Sequence, residues 1–396
     1  MDIELSDRVQ RIQPSPTLAV SALAAQLRAE GRDIVGLGAG EPDFDTPEHI
    51  KQAAIDALAR GETKYTAVDG TPGLKDAIIR KFQRDNGLDF TPDQILVSSG
   101  GKQSIFNLCQ ALLNPDDEVV IPAPYWVSYP DIAVLAGARP VIVSAGQEAG
   151  FRITGEQLEA AITPKTRLFF LNSPSNPTGA AYSAEELEAL AAVLRRYPHV
   201  VIATDDMYEH IRFGDRPFVN IANVAPDLLD RTVVLNGVSK AYAMTGWRIG
   251  YAGGPKDLIA AMKKIQSQST SNPTSIAQAG AQAALDGDQS CVATMCAAFA
   301  ERARHVVDGL NAIDGVECLM PDGTFYCFPR VTGLMEAAGI ETDVALTKML
   351  LDEVGVALVP GSAFGAPGHV RVSFATSMDM LDKALERLRE FARSHA

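Results

Sequence analysis

From Gln94 to Ala252, short apolar runs alternate with helical stretches, and this alternation restricts the fold more than any other feature of the chain. The runs are Ile95–Val97, Glu118–Ile121, Val141–Val143, Leu168–Leu171, Val200–Ala203, Val233–Leu235 and Ile249–Ala252. They are nearly continuously apolar, which is the pattern of strands buried on both faces. Separated by helices, they predict an α/β fold: a mostly parallel seven-stranded sheet covered by helices. A chain of 396 residues has room for this and a smaller α+β domain. Residues 46–285 are expected to form the large domain. Residues 1–45, with an arm marked by Pro14-Ser15-Pro16-Thr17, are expected to join 286–396 in the small one.

Outside the alternating region the signals are local. Thr46-Pro47-Glu48 reads as an N-cap with proline at the first helical position. Further helices are expected at Leu18–Arg28, Leu74–Asp85, Asp343–Glu353 and Met380–Arg393, with one long alanine-rich helix from Ser275 to about Leu310. Asp33–Leu37, Gly315–Leu319, Gly323–Phe328, Ala357–Pro360 and Val370–Phe374 are strand-like.

Composition narrows the function. With 49 acidic against 35 basic residues the formal charge is −14, which argues against nucleic acid as a partner. The acidic start, Met1 to Asp7, lacks the apolar core of a signal peptide, and no apolar run is long enough to span a membrane. The five cysteines form no Cys-x-x-Cys and read as reduced thiols of a cytoplasmic protein. The six histidines include no His-x-x-x-His pair, and no metal is expected. Gly36-Leu37-Gly38-Ala39-Gly40-Glu41-Pro42 invites a dinucleotide fingerprint, but Glu41 stands where the third glycine is needed.

The informative positions follow the strands. They are Gly100-Gly101-Lys102, Pro124-Tyr125-Trp126, Asn172 to Gly179, Asp205-Asp206-Met207-Tyr208 and Ser239-Lys240. The carboxyl ends of parallel strands share one sheet edge, so these groups converge on one crevice. Gly101 and Lys102, opening a helix, offer backbone N–H groups to a phosphate, although the P-loop spacing is absent. Arg248 adds a second anion contact, and Trp126 offers a face to a ring. Asp205 is suited to keeping a ring nitrogen protonated, and Tyr208 to donating to a ring oxygen. Lys240 supplies an amine whose pKa burial lowers. These are the parts that pyridoxal 5′-phosphate requires.

With those residues in order, the chain resembles the class-I aminotransferase family of fold-type-I pyridoxal-phosphate enzymes, most closely its bacterial aspartate aminotransferases. The resemblance spans essentially the whole chain. It rests on Gly40-Glu41-Pro42-Asp43-Phe44, Gly101-Lys102-Gln103, Pro124-Tyr125-Trp126, Asn172-x-Pro-x-Asn176-Pro177-Thr178-Gly179, Asp205-x-x-Tyr208, Ser239-Lys240 and Gly246-Trp247-Arg248-Ile249-Gly250. It implies that Lys240 would bond the cofactor and later move the substrate proton. Asp205 would pair with the ring nitrogen, Tyr208 and Asn176 would reach the ring oxygen, and Trp126 would stack on the ring. Arg248 and the Gly101 and Lys102 amides would hold the phosphate. Tyr65 would reach the phosphate of a neighbouring subunit, which implies a homodimer. Arg371 would clamp the substrate α-carboxylate, with Gly40 closing over it and Trp126 and Asn176 beside it. Lys102, Ser15 and Thr17 are candidates for reading the distal group.

The reaction implied is ping-pong transamination between L-aspartate and 2-oxoglutarate. The alternatives are prephenate or aromatic substrates, or a lyase using the same cofactor. A regulatory protein on the same fold would carry an added DNA-binding segment, which this acidic chain is not expected to have. One position departs from the family: Gly237 stands where many relatives carry a phosphate-binding serine, leaving Ser239.

Overall fold

The computed structural model describes residues 3–395; Met1 and Asp2 of the expected arm, and Ala396, lie outside them. Seven strands form one sheet: β1 Ile95–Ser98, β2 Glu118–Ala123, β3 Arg139–Ser144, β4 Thr166–Asn172, β5 Val201–Asp205, β6 Thr232–Gly237 and β7 Gly250–Gly253. Their spatial order is β1-β7-β6-β5-β4-β2-β3. All pairings from β6 to β3 are parallel, whereas β7 runs antiparallel to both neighbours.

The apolar runs read as strands because both faces are covered, except at the edge strand β3, where Ile142 is 41% exposed. Val119, Ile121, Leu168, Phe170, Val233 and Leu235 point into one core. Their alternates Val120, Phe169, Leu171 and Ile202 fill another, and Val97 and Val234 fill a third. Residues Asn172, Asp205 and Leu235 pair in register across β4, β5 and β6. That register puts the polar strand ends at one edge.

A separate core lies among the helices Ser290–Asn311, Asp343–Glu353 and Met378–Ser394, with Phe299, Phe325, Val372 and Phe391 buried in it. Its small sheet pairs Val359–Pro360 and Tyr326–Cys327 with Val370–Ser373, all antiparallel. The strand-like run Asp33–Leu37 contributes only Val35–Gly36, which pairs with Val356–Ala357.

Several local expectations fail for physical reasons. Ser275 to Leu310 is two helices, Ser275–Asp286 and Ser290–Asn311. At Gly287, where the first helix has ended, a Cβ would stand 2.5 Å from Ala283 O, and the Gln289 amide bonds the freed carbonyls of Ala284 and Gly287 at 2.9 and 2.8 Å. Thr46 does not cap the helix Glu48–Ala59, whose N-cap is Pro47. The Thr46 hydroxyl instead donates to Ala243 O at 2.6 Å and accepts from Trp247 Nε1 at 3.0 Å. Gly315–Leu319 forms no strand, only a single bridge from Glu317 to Arg330.

Candidate active site

A cavity of about 340 Å³ opens at the carboxyl ends of β4, β5 and β6. Gly40, Gly101, Lys102, Trp126, Asn176, Asp205, Tyr208, Lys240, Arg248 and Arg371 all line it, as do Ser15, Thr17 and Ser239. Tyr65 does not; it is 92% exposed on this chain.

Strand β6 delivers Lys240. Its ammonium donates to Gly40 O at 2.5 Å. Burial pushes its pKa down to about 8, opposed by Glu41 and helped by Arg371 and Arg248. A fraction of neutral amine therefore exists near neutral pH.

Asp205, at the end of β5, is buried, and burial raises its pKa. Its partners are the Tyr129 hydroxyl at 2.6 Å and the Met207 N–H at 3.3 Å. Both are neutral, so a cation arriving in the cavity would favour the ionised carboxylate. Asn172 Nδ2 donates to Asp205 O at 2.8 Å and Asn172 Oδ1 accepts from Asn176 N–H at 2.8 Å, tying the two strand ends together. Tyr208 shares a 3.1 Å hydrogen bond with the Tyr326 hydroxyl.

Arg371 is 2% exposed yet forms no ion pair among the described residues. Its Nη1 donates to Asn176 Oδ1 at 3.0 Å and its Nη2 to Gly38 O at 2.8 Å, while Nε is buried without a partner. Its guanidinium lies 4.4 Å from the Tyr326 ring centre. A desolvated cation held only by neutral acceptors is a site for a carboxylate.

The anion end is built on glycines. The helix Gly101–Leu112 starts at the cavity; the Gln103 N–H donates to Gly100 O at 3.0 Å, whereas the Gly101 and Lys102 amides precede the helix's own acceptors. At Gly100, φ +88°, a Cβ would lie 2.2 Å from Arg248 Nη2. Arg248 itself is held at φ 57° and donates to Thr245 O at 2.9 Å, leaving much of its guanidinium free. A Cβ at Gly250 would meet Gly101 N at 2.2 Å, so β7 must begin with glycine for the turn to seat. At Gly237 a Cβ would meet Gly250 Cα and Ile249 O at 3.1 Å, so a serine there would need the strands to yield. Lys102, whose pKa burial and Arg248 lower, rests 5.0 Å from the Trp126 ring centre.

Three lining residues whose side chains hydrogen-bond within the site, Asn172, Tyr129 and Tyr326, are outside the expected set. Asn172 stood within the quoted motif, and Tyr129 follows Trp126 by one helical turn. Tyr326 lay in a strand-like run with no motif to mark it. Among the described residues one acid–histidine trio, Asp85, Glu209 and His210, has its donor atoms close together, but the Lys81 ammonium already sits on Glu209.

The chain belongs to the family aminotransferase class I and II, whose model matches residues 32–388. It is 60% identical over 392 residues to an aspartate/prephenate aminotransferase of Nitrosomonas europaea, covering 98% of this chain and 99% of that one. It is 50% identical over 394 residues to an aspartate aminotransferase of Geobacillus stearothermophilus, covering both chains completely. Among solved structures, the aspartate aminotransferase of Rhizobium meliloti superposes with a TM-score of 0.95 at 51% identity, covering 99% of each chain. That of Thermus thermophilus with maleate gives 0.93 at 44% identity, covering 98% of this chain and all of that one. The family's cofactor is pyridoxal phosphate. The residues present fit it: a buried amine bonded to a carbonyl, a buried carboxylate with no ion pair among the described residues, and helix-start amides beside an arginine.

Proposed function

We propose that this chain transfers the amino group of L-aspartate to 2-oxoglutarate, giving oxaloacetate and L-glutamate by a ping-pong mechanism. The observation that carries the reading is Arg371, a buried, unpaired guanidinium in the same cavity as the low-pKa Lys240. When bound, the cofactor supplies an aldehyde for Lys240 and an electron sink for the substrate's α-carbon. Arg371 binds and orients the α-carboxylate as a bidentate fork, with Gly40 bordering it. Lys240, once free, would take the α-proton as its neutral amine and later return it. Asp205, oriented by Tyr129, would keep the ring nitrogen protonated. Tyr208 and Asn176 would bond the ring oxygen, and Trp126 would pack on the ring. Arg248, with the Gly101 and Lys102 amides and the Ser239 hydroxyl, would hold the phosphate.

The remaining expectations are proposals of the same reading. Tyr65, too exposed to serve its own cavity, reaches the phosphate site of a partner in a homodimer. Division into 46–285 and 1–45 plus 286–396 is supported by packing: helix Ser275–Asp286 lies on helix Glu48–Ala59, whereas helix Ser290–Asn311 lies on Met378–Ser394. No described helix is long and apolar enough to cross a membrane, and the five free cysteines fit a cytoplasmic location.

Lys102 reads the distal carboxylate. Lys102→Ala is expected to raise the KM for aspartate at least about tenfold more than that for a neutral amino acid. Equal effects would assign Lys102 to the phosphate instead. Prephenate is a second acceptor, a reading favoured by the 60% identical relative's name. A panel of amino donors against 2-oxoglutarate, with prephenate as alternative acceptor, tests both; failure of aspartate as a donor would overturn the main reading.

The Lys240 pKa of about 8 sets a pH expectation. Covalent attachment of cofactor to the cofactor-free chain requires the neutral amine. Its rate should rise about tenfold per pH unit below 8 and level off above it. A rise continuing to pH 10 would show an ordinary solvated lysine.

A further inference from the structure

The loop after β5 has two sides. Asp205 and Tyr208 line the cavity, while Asp206 and Glu209 turn away and are 0% and 5% exposed. Both buried carboxylates are fully bound. Asp206 accepts from the Thr204 hydroxyl at 2.7 Å and Asn220 Nδ2 at 2.8 Å, and its N–H donates to Leu235 O on β6 at 2.9 Å. Glu209 Oε1 accepts from the Lys81 ammonium and from Asn236 Nδ2 at 2.7 Å; its Oε2 accepts from Asn86 Nδ2 at 2.6 Å. Lys81, 0% exposed, also donates to Asn86 Oδ1 at 2.7 Å. Asn236 Oδ1 accepts from the Gly237 N–H at 2.7 Å.

One carboxylate therefore joins three elements: the Asp205–Tyr208 turn, strand β6 leading to Lys240, and the end of helix Pro72–Lys81. A buried ion pair adds little stability over well-packed apolar side chains of the same size. What it does supply is geometry, since a carboxylate held by three donors cannot slide. The groups it joins are those whose mutual spacing the reaction needs.

We propose that Glu209, clamped by Lys81, is a positioning residue that fixes the distance between the Asp205–Tyr208 turn and the Lys240 turn. It lines no part of the cavity. The proposal rests on the roles given above to Asp205, Tyr208 and Lys240.

Removing one partner alone would leave a buried unpaired charge and unfold the region, so the test replaces both. Lys81→Met/Glu209→Leu is an apolar pair of similar volume. Its cofactor-free form should melt within a few degrees of the parent. Its kcat should fall about ten- to a hundredfold, the scale of a displacement near 1 Å. The KM for aspartate, set by Arg371, should stay within about threefold, and bound cofactor should dissociate about tenfold faster. Lys81→Met/Glu209→Gln keeps an acceptor for Asn236 and should recover part of the lost kcat. A folded Leu variant with the parent's kcat and cofactor retention, or a Gln variant no better than the Leu one, would overturn the proposal.

If the double variants do not fold, Asn236→Ala decides, because it keeps the ion pair and cuts the tie from Glu209 to β6, losing besides it the Asn236 Oδ1 bond to the Gly237 N–H. It should lower kcat likewise, and an unchanged kcat overturns the proposal. Lys240→Ala in the same assay separates the two levels. If it retains turnover, the proposed roles fail; if it is inactive while the double variant matches the parent, only the positioning fails.

Discussion

Replacing Lys240 by alanine is expected to abolish turnover, lowering kcat by about five orders of magnitude or more. Two functions are lost at once. The covalent anchor disappears, so borohydride no longer fixes the cofactor to the chain. The base disappears too, and nothing nearby replaces it. Of the other basic side chains at the cavity, Lys102 rests on the Trp126 ring, and Arg248 and Arg371 carry guanidinium groups, which are donors only. Asp205 is bonded to Tyr129 and Met207. The cavity geometry should survive, because among the described residues the Lys240 ammonium makes one hydrogen bond, to Gly40 O. Cofactor should therefore still bind non-covalently, and mass spectrometry after borohydride treatment separates loss of the bond from loss of the site. A variant that keeps kcat would remove Lys240 from the chemistry.

Arg371→Leu carries the second largest effect. In the parent, the guanidinium is already desolvated, and its two protein acceptors, Asn176 Oδ1 and Gly38 O, are neutral. Much of the cost of dehydrating the cation has been met during folding, so the incoming carboxylate meets a prepared partner. Leucine keeps the packing against Tyr326 and Phe364 but provides no donor. The loss in kcat/KM should be about two to three orders of magnitude, or about 3–4 kcal/mol, and should appear with every amino donor. That separates it from Lys102→Ala, whose effect depends on the distal group. Because the change also removes a buried unpaired cation, the Tm should not fall by more than a few degrees. A kcat/KM within threefold of the parent would show that substrate carboxylates bind elsewhere.

Much of this was legible because the physics was local or periodic. β2, β4 and β6 are apolar on both faces, and their runs, such as Val119-Val120-Ile121, have no polar alternate. Position then gave chemistry, since Asp205 comes two residues after such a run and Lys240 five. The reversed direction of β7 was not legible, because an apolar run carries no sign. The break at Gly287 was hidden by alanines on both sides that favour helix equally. Tyr326 was missed because its role comes from long-range pairing with Tyr208, 118 residues away, which no spacing rule encodes. The Glu209 network was hidden for the same reason: Lys81, Asn86 and Asn236 meet only once the sheet is assembled. Tyr65 lines no part of this chain's cavity, so its role there rests on the proposed homodimer.

The most direct test of the account is the stoichiometry of the half-reaction. Purified, cofactor-loaded enzyme is mixed with excess L-aspartate and no keto acid, and oxaloacetate is counted per active site. Transamination predicts release of one equivalent and then a stop, with continuous turnover resuming only when 2-oxoglutarate is added. Sustained product formation from aspartate without any acceptor would contradict it and assign the cavity to a lyase.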